Sequence, residues 1–486
     1  MKKIHVIGGG LAGPEAALQA AALGCEVTLS EMRPLRSTEA HQTADFAELV
    51  CSNSLKSESE NYAPWLLKQE MRRANSFLLQ AADASAVPAG HALAVDREIF
   101  SHLVSELIAQ QPRITIRREE VTTLPKHDDS TITVLASGPL TSSPLAQSLQ
   151  QLTGAAHLAF YDSISPIVDA STIDMSRCYL AARWDKGTAD YINCPFTREE
   201  YDAFIDALTA AEKIEHKPWE QIPSGTSSNS VILSEARSAE SKDPEGLGPA
   251  TTANTTSTTS PGPSYFEGCL PIEETARRGR DTLRFGPMKP AGLTDPRTGR
   301  WPYACVQLRQ ENLRADSYNL VGFQNSLRFG EQTRILRMVP GLENAKFLRY
   351  GQIHRNTYIN APTLLTETLQ LKQHPHILIA GQLSGVEGYT ESIAGGLLAG
   401  RFAAALAQGH QPASAPRLSA NGSLTHYITH ADAKRFQPAN ITFDLLPPLE
   451  DELRKKIRDK KERHRIQCER ALTAWNEWLA KSLTPA

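Results

Sequence analysis

The chain has 486 residues, a formal net charge of -3, 41% hydrophobic and 22% charged residues. That length exceeds a single core, so two or three domains are expected, and no apolar run approaches the roughly 18 residues that a membrane span requires. Seven cysteines without a CxxC pair or a Cys/His cluster argue against a disulfide framework and against structural zinc. A near-neutral total also means that any nucleic-acid contact must come from local basic patches.

The N-terminus reads as strand "KIHVIGGG", helix "GPEAALQAAALG" and strand "CEVTLSEM", a βαβ unit that begins at once and leaves no room for a secretion signal. A cytoplasmic location is expected. "ALAVDREIFSHLVSELIAQ" predicts a short strand and an amphipathic helix, and "ITIRREEVTTL" and "STITVLASGP" predict strands of a small sheet. From "CYLAARWDKG" to "KPWEQI" the glycine spacing disappears, which marks a second domain with the helix "TREEYDAFIDALTAAEKI". Residues 224–263 are dominated by Ser, Thr, Gly, Pro and Ala, and their composition predicts a disordered insertion. Near residue 376 the strand, glycine-rich turn and helix return in "HILIAGQLSGVEGYTESIAGGLLAGRFAAALAQG", and "EDELRKKIRDKKERHRIQCERALTAWNEWLA" predicts a helix with a basic face. The expected organisation is a first cofactor-domain segment at 1–185, a substrate domain at 186–329, a second cofactor-domain segment at 330–425 and a helical tail at 426–486. The fold class is α/β, a doubly wound, Rossmann-like, FAD-binding sheet with an inserted α+β domain.

Gly8, Gly10 and Gly13 form G-x-G-x-x-G between strand and helix, where they permit a tight turn, backbone approach to a pyrophosphate and close helix packing. Gly9, Leu11 and Ala12 complete the turn, and Pro14 sits where a helix tolerates a missing N–H. Glu31, at the end of the second strand, is placed to accept from both ribose hydroxyls, which disfavours a 2′-phosphate. The second glycine turn, with Gly381, Gln382, Tyr389 and Ser392, would bring another helix N-terminus to the same ligand and so favours FAD over NAD. Tyr389 either stacks on the flavin or belongs to the core.

Cys51 lies in "DFAELVCSNSLKSES"; if "NSLKSE" opens a helix, its dipole favours thiolate there. Cys269 is flanked by Gly268 and Pro271 in "SYFEGCLPIEET". On these residues alone, buried inert thiols remain the commoner reading. Together, "VIGGGLAGPEAA", "ELVCSNSLKS", "FEGCLPIEE", "GPMKPAGL" and "GQLSGVEGYTES" resemble the folate- and FAD-dependent tRNA (uracil-C5)-methyltransferases that make ribothymidine in the T-loop. The resemblance covers the chain except 224–263 and implies Cys51 and Cys269 as the catalytic thiols. It also implies methylenetetrahydrofolate as carbon donor and reduced FAD as electron donor, with NAD(P)H to regenerate it. Addition to uracil C6 is assigned to Cys269 and proton removal to Cys51. Arg277, Arg278, Arg280 and Arg284, close behind Cys269, and the basic tail suit tRNA phosphates, although a solvated helix face explains the tail equally well. The alternatives are a flavoprotein acting on the tRNA wobble uridine, a non-catalytic redox-sensing RNA-binding flavoprotein, and a flavin disulfide oxidoreductase, for which the close cysteine pair is missing. The sequence leaves the oligomeric state open.

Overall fold

The computed structural model describes residues 2–38, 40–125, 130–155, 158–185, 188–214 and 270–482. Cys269, Trp219 and the 224–263 insertion lie outside them. The first unit forms as its pattern predicts: β1 (Lys3–Ile7), α1 (Ala12–Ala22) and β2 (Val27–Glu31). β1 is central in a five-stranded sheet, with β2 and then Ile114–Arg118 on one side, and Thr131–Leu135 and then Ile377–Ile379 on the other. Every pairing is parallel. The two strands expected in a small separate sheet therefore belong to the main one, because their partners lie far away in sequence. Such a sheet must be covered on both faces, and the helices α1, Arg97–Ala109 and Tyr389–Ala407 bury their apolar sides in one core shared by the N- and C-terminal thirds.

A second core draws on residues between Val168 and Ala345. It lies against a six-stranded antiparallel sheet in the order Tyr179–Leu180, Tyr191–Phe196, Ala304–Gln310, Ser317–Leu320, Ile167–Asp169, Phe347–Arg349. The helix Arg198–Ala210 packs on it and starts with a capping box, Thr197 accepting from the Glu200 N–H while Glu200 accepts from the Thr197 N–H. The chain leaves the first unit through Leu158–Ser163 and returns through Ile353–Tyr358, and these two crossings pair antiparallel with each other. The basic tail is two helices, Asp451–Lys456 and Lys460–Ser482, because Ile457 turns extended (φ -100°, ψ 103°). The longer one docks through Trp475, whose indole N–H donates to the Glu70 carbonyl at 2.7 Å.

Candidate active site

The first glycine turn is shaped by what a side chain would meet. Gly8 has φ +113°, and a Cβ there would lie 2.5 Å from the Ala136 carbonyl oxygen; on Gly13 it would lie 1.8 Å from the Gly8 carbonyl oxygen. On Gly10 it would meet nothing within 4 Å. The open face of the turn is therefore at Gly10, where a pyrophosphate needs backbone access. No side chain caps α1, nor the helix Tyr389–Ala407, so the first-turn N–H groups of both lack a side-chain acceptor. Uncapped helix N-termini suit anionic groups, and the turn fits a dinucleotide.

Glu31 is only 6% exposed. Its Oε2 accepts the Gly9 N–H at 2.6 Å, and its Oε1 accepts both the Arg33 N–H and the Arg33 Nε–H at 2.9 Å. Burial works against the anion, but the Arg33 charge and these donors hold the carboxyl below its ordinary value. A carboxylate offers about four acceptor sites. With three filled, one remains on Oε2, so Glu31 has room for one ribose hydroxyl where two were expected.

The second turn, between Ile377–Ile379 and Tyr389–Ala407, uses three glycines in left-handed conformation: Gly381 (φ +71°), Gly385 (φ +94°) and Gly388 (φ +109°). It meets the first turn directly. A Cβ on Gly381 would be 2.8 Å from the Ala12 Cβ, on Gly396 2.3 Å from the Ala12 carbonyl oxygen, and on Gly400 2.4 Å from the Ala16 carbonyl oxygen. The two helices thus cross backbone to backbone, which brings both N-termini to one place. Gln382 Nε2 donates to Glu387 at 2.6 Å, and Ser392 is buried one turn inside the helix.

Cys51 sits beside this junction. The segment after it is not a helix but β3 (Ser54–Ser57), paired antiparallel with Ala92–Val95. Cys51 therefore does not open a helix of its own, contrary to expectation. The physical reason is long-range: the buried Asn53 donates to the Val95 and Gln310 carbonyls at 3.1 and 2.9 Å, while Lys68, fully buried, donates to the carbonyls of Leu55, Lys56 and Ser57. Tyr389 Oη accepts the Cys51 N–H at 2.7 Å and the Ser52 N–H at 3.2 Å. Burial pushes the Tyr389 phenol well up, so it stays neutral.

Arginines surround the loop. Arg97 donates to the carbonyls of Leu49 (2.7 Å) and Cys51 (3.2 Å) and pairs with the buried Glu311; Arg309, from the second sheet, donates to Ser52 Oγ at 2.8 Å. Arg349 lies within electrostatic range of Cys51, Tyr389 and Arg97, and its burial, with the like charge of Arg97, lowers its pKa. Among the described cysteines, Cys51 alone is not buried. Burial pushes Cys305 and Cys468 up to about 12.

Of the arginines expected to face tRNA, Arg280 is gripped by Asp202 (3.0 Å) and Asp206 (2.5 Å), and Arg277 pairs with Glu274 at 3.3 Å. Arg284 pairs with Asp281 at 3.1 Å and lies 3.6 Å over the Tyr303 ring. Arg278 closes the helix Ile272–Arg277. The structure thus gathers the glycine turns, Glu31, Tyr389 and Cys51, while Arg277, Arg280 and Arg284 carry acidic partners.

A family model described as glucose inhibited division protein A matches residues 3–232 and 247–411. Proteins called methylenetetrahydrofolate--tRNA-(uracil-5-)-methyltransferase TrmFO are 60% identical over 480 residues in Koribacter versatilis, covering 99% of this chain and 98% of that one. The counterpart in Solibacter usitatus is 56% identical over 481 residues, covering 98% of each. The chain belongs to the TrmFO family. Its motif resemblance pointed to the same family. The solved structure of GidA from Aquifex aeolicus (form I crystal) shares the fold of this TrmFO-family chain, with TM-score 0.67 at 17% identity, over 100% of this chain and 76% of that one. The sequence reading missed Arg97, Arg309 and Arg349, which the structure places around the Cys51 loop. The one available signal was Arg97 behind Asp96, which caps the helix Arg97–Ala109; the other two carry no local mark.

Proposed function

We propose that the chain methylates C5 of the T-loop uridine of tRNA, with methylenetetrahydrofolate as carbon donor. The observation that carries this reading, beside full-length kinship with TrmFO proteins, is the placement of Cys51. It is the non-buried thiol among the described cysteines, tied to the second glycine turn by Tyr389 and to the second sheet by Arg309. The wobble-uridine and non-catalytic alternatives are not favoured by relatives that bear the TrmFO name over the full length.

FAD would be held by the turn Gly8–Gly13, with Gly9, Leu11 and Ala12 as backbone wall, by Glu31, and by Gly381, Gln382, Tyr389 and Ser392 at the second helix N-terminus. When bound and reduced, by NADH or NADPH, it supplies the hydride that completes the methyl group. The protein's own residues handle the uracil. The Cys269 thiolate adds to C6 and makes C5 nucleophilic toward the one-carbon unit; Cys51 takes the C5 proton as tetrahydrofolate leaves, and hydride capture by the exocyclic methylene, with expulsion of the Cys269 thiolate, would give the methylated product. The guanidiniums of Arg97 and Arg349 complement an anion at Cys51. Arg277, Arg278, Arg280 and Arg284 contact tRNA phosphates, exchanging acidic partners for the backbone. The first sheet with the C-terminal return forms the cofactor domain, the 186–329 region the substrate domain, and the setting is cytoplasmic; no described helix is long and apolar enough to cross a membrane.

The test uses a T-loop RNA whose target base is 5-fluorouracil, since fluorine cannot leave as the C5 proton does. The full chain should form a covalent adduct, Cys269→Ala none, and Cys51→Ala should retain it. An adduct lost with Cys51 and kept with Cys269→Ala would exchange the two roles. No adduct from any variant, with RNA bound, would overturn covalent catalysis.

A further inference from the structure

Away from the glycine turns, the helix Ala420–His430 ends in "HYITH", which puts His426 and His430 one turn apart. Their rings stack with centroids 4.2 Å apart and planes 17° from parallel. Glu367, on the hairpin that precedes the strand Ile377–Ile379, points at both: its Oε1 lies 3.1 Å from Nδ1 of His426 and 3.7 Å from Nδ1 of His430. The three donor atoms lie within 4.8 Å of one another. Glu367 and His430 line a groove of about 500 Å³ together with Thr366, Thr368, Lys372 and Ser414.

We propose that Glu367, His426 and His430 bind one first-row divalent transition ion, with zinc the best match, and leave a coordination position open to the groove. Two imidazoles and one carboxylate are the donor set that zinc, nickel and copper prefer, whereas magnesium and calcium take oxygen. Zinc bonds of about 2.0–2.2 Å put tetrahedral ligands roughly 3.3–3.6 Å apart. The Glu367–His426 pair is already that close. His430 must tilt out of the stack, and its side chain, 51% exposed, is free to do so. In moving it gives up contacts of its Nδ1 with Thr429 Oγ1 (2.9 Å) and the His426 carbonyl (3.2 Å). Arg417, within electrostatic range of Glu367, competes for the carboxylate and keeps the affinity moderate.

The ion would act as a clip. The hairpin runs into the strand that delivers Gly381, and the helix is held at its other end by Glu70, which accepts the N–H groups of Ala420 (2.6 Å) and Asn421 (2.9 Å). Closing the His–Glu end fastens both supports of the second glycine turn, without touching the thiols.

The experiment titrates Zn2+ into the chelator-treated, full-length flavoprotein by calorimetry, beside His430→Asn, His426→Gln and Glu367→Gln, with flavin absorbance and circular dichroism reporting the fold. Because thiols also take zinc, the reading is the difference: each histidine variant should bind one equivalent fewer than the parent, and Glu367→Gln should bind that equivalent roughly tenfold or more weakly. Zn2+ should raise the thermal midpoint of the parent and not of His430→Asn, with methylation rates equal in the two. Equal stoichiometry in the parent and in the folded histidine variants, or no zinc bound by the parent, overturns the proposal. Should one histidine variant fail to fold, the other decides.

Discussion

Tyr389 and Cys51, 338 residues apart in the chain, are joined by a hydrogen bond of 2.7 Å from the Cys51 N–H to the phenol oxygen, with the Ser52 N–H as second donor. The contact ties the flavin-type turn to the thiol loop through one oxygen atom. Tyr389→Phe removes that oxygen and keeps the ring. The FAD content of the purified protein should stay near normal while methyl transfer falls, because two N–H groups lose their acceptor at about 1–3 kcal/mol for each one left buried. A Tyr389→Phe protein with unchanged transfer rate would show that the hydroxyl does not position Cys51.

Arg97 and Glu311 form a second tie, across the two cores. Glu311 is 4% exposed, so Arg97→Met strands a buried carboxylate and should cost on the order of 3–5 kcal/mol. The double variant with Glu311→Gln should recover part of the loss, a coupling that thermal unfolding of all four proteins reads directly. Additive losses would mean that the pair is not coupled.

His41 gives the stability profile an acid limb. Burial, then the nearby Arg33 charge, lowers its pKa from 6.5 to about 4. A depressed folded-state pKa means that the neutral imidazole's contribution is complete above 6.5 and is lost as pH falls toward 4, by on the order of 3 kcal/mol at most. Chemical denaturation at intervals from pH 7 to pH 4 should show this decline, and His41→Asn should flatten it.

Gly396→Ala drives a Cβ into the Ala12 carbonyl oxygen. The helices must separate, at about 1–3 kcal/mol, and the two uncapped N-termini part. The variant should lose flavin on gel filtration before it loses helix content by circular dichroism. Gly330→Ala is the control: a Cβ there meets nothing within 4 Å, in a helix where alanine is the better residue by roughly 0.5–1 kcal/mol.

The glycine turns were legible in the sequence because their causes are local: strand, turn and helix follow one another within a dozen residues, and Gly8 needs φ +113° whatever surrounds it. The error at Ser54–Ser57 has the opposite origin. Ser, Asn and Ser behind Cys51 look like a helix cap, but Asn53 donates to the distant carbonyls of Val95 and Gln310, and the distant Lys68 donates to the carbonyls of Leu55, Lys56 and Ser57, which makes the segment a strand. Ile114–Arg118 and Thr131–Leu135 were recognised as strands yet assigned to the wrong sheet, since nothing within them names β1 and β2 as neighbours. Arg309 and Arg349 come from a sheet whose strand order no local pattern encodes. The same holds for Glu367, while the two histidines one helical turn apart were visible all along.

The position of Ile377–Ile379 at the end of the parallel sheet has a consequence for synthesis. Until it arrives, Thr131–Leu135 has β1 on one side and an open edge on the other. Roughly 240 residues, including the whole second core, must leave the ribosome in between, which at ordinary elongation rates is on the order of tens of seconds. For that interval the nascent chain carries a bare apolar strand edge, the kind of template that recruits other chains. The second core, drawn from residues between Val168 and Ala345, is synthesised within that interval, and the flavin turn is completed last. Demand for chaperone protection should thus peak midway through translation and end when the C-terminal strand docks.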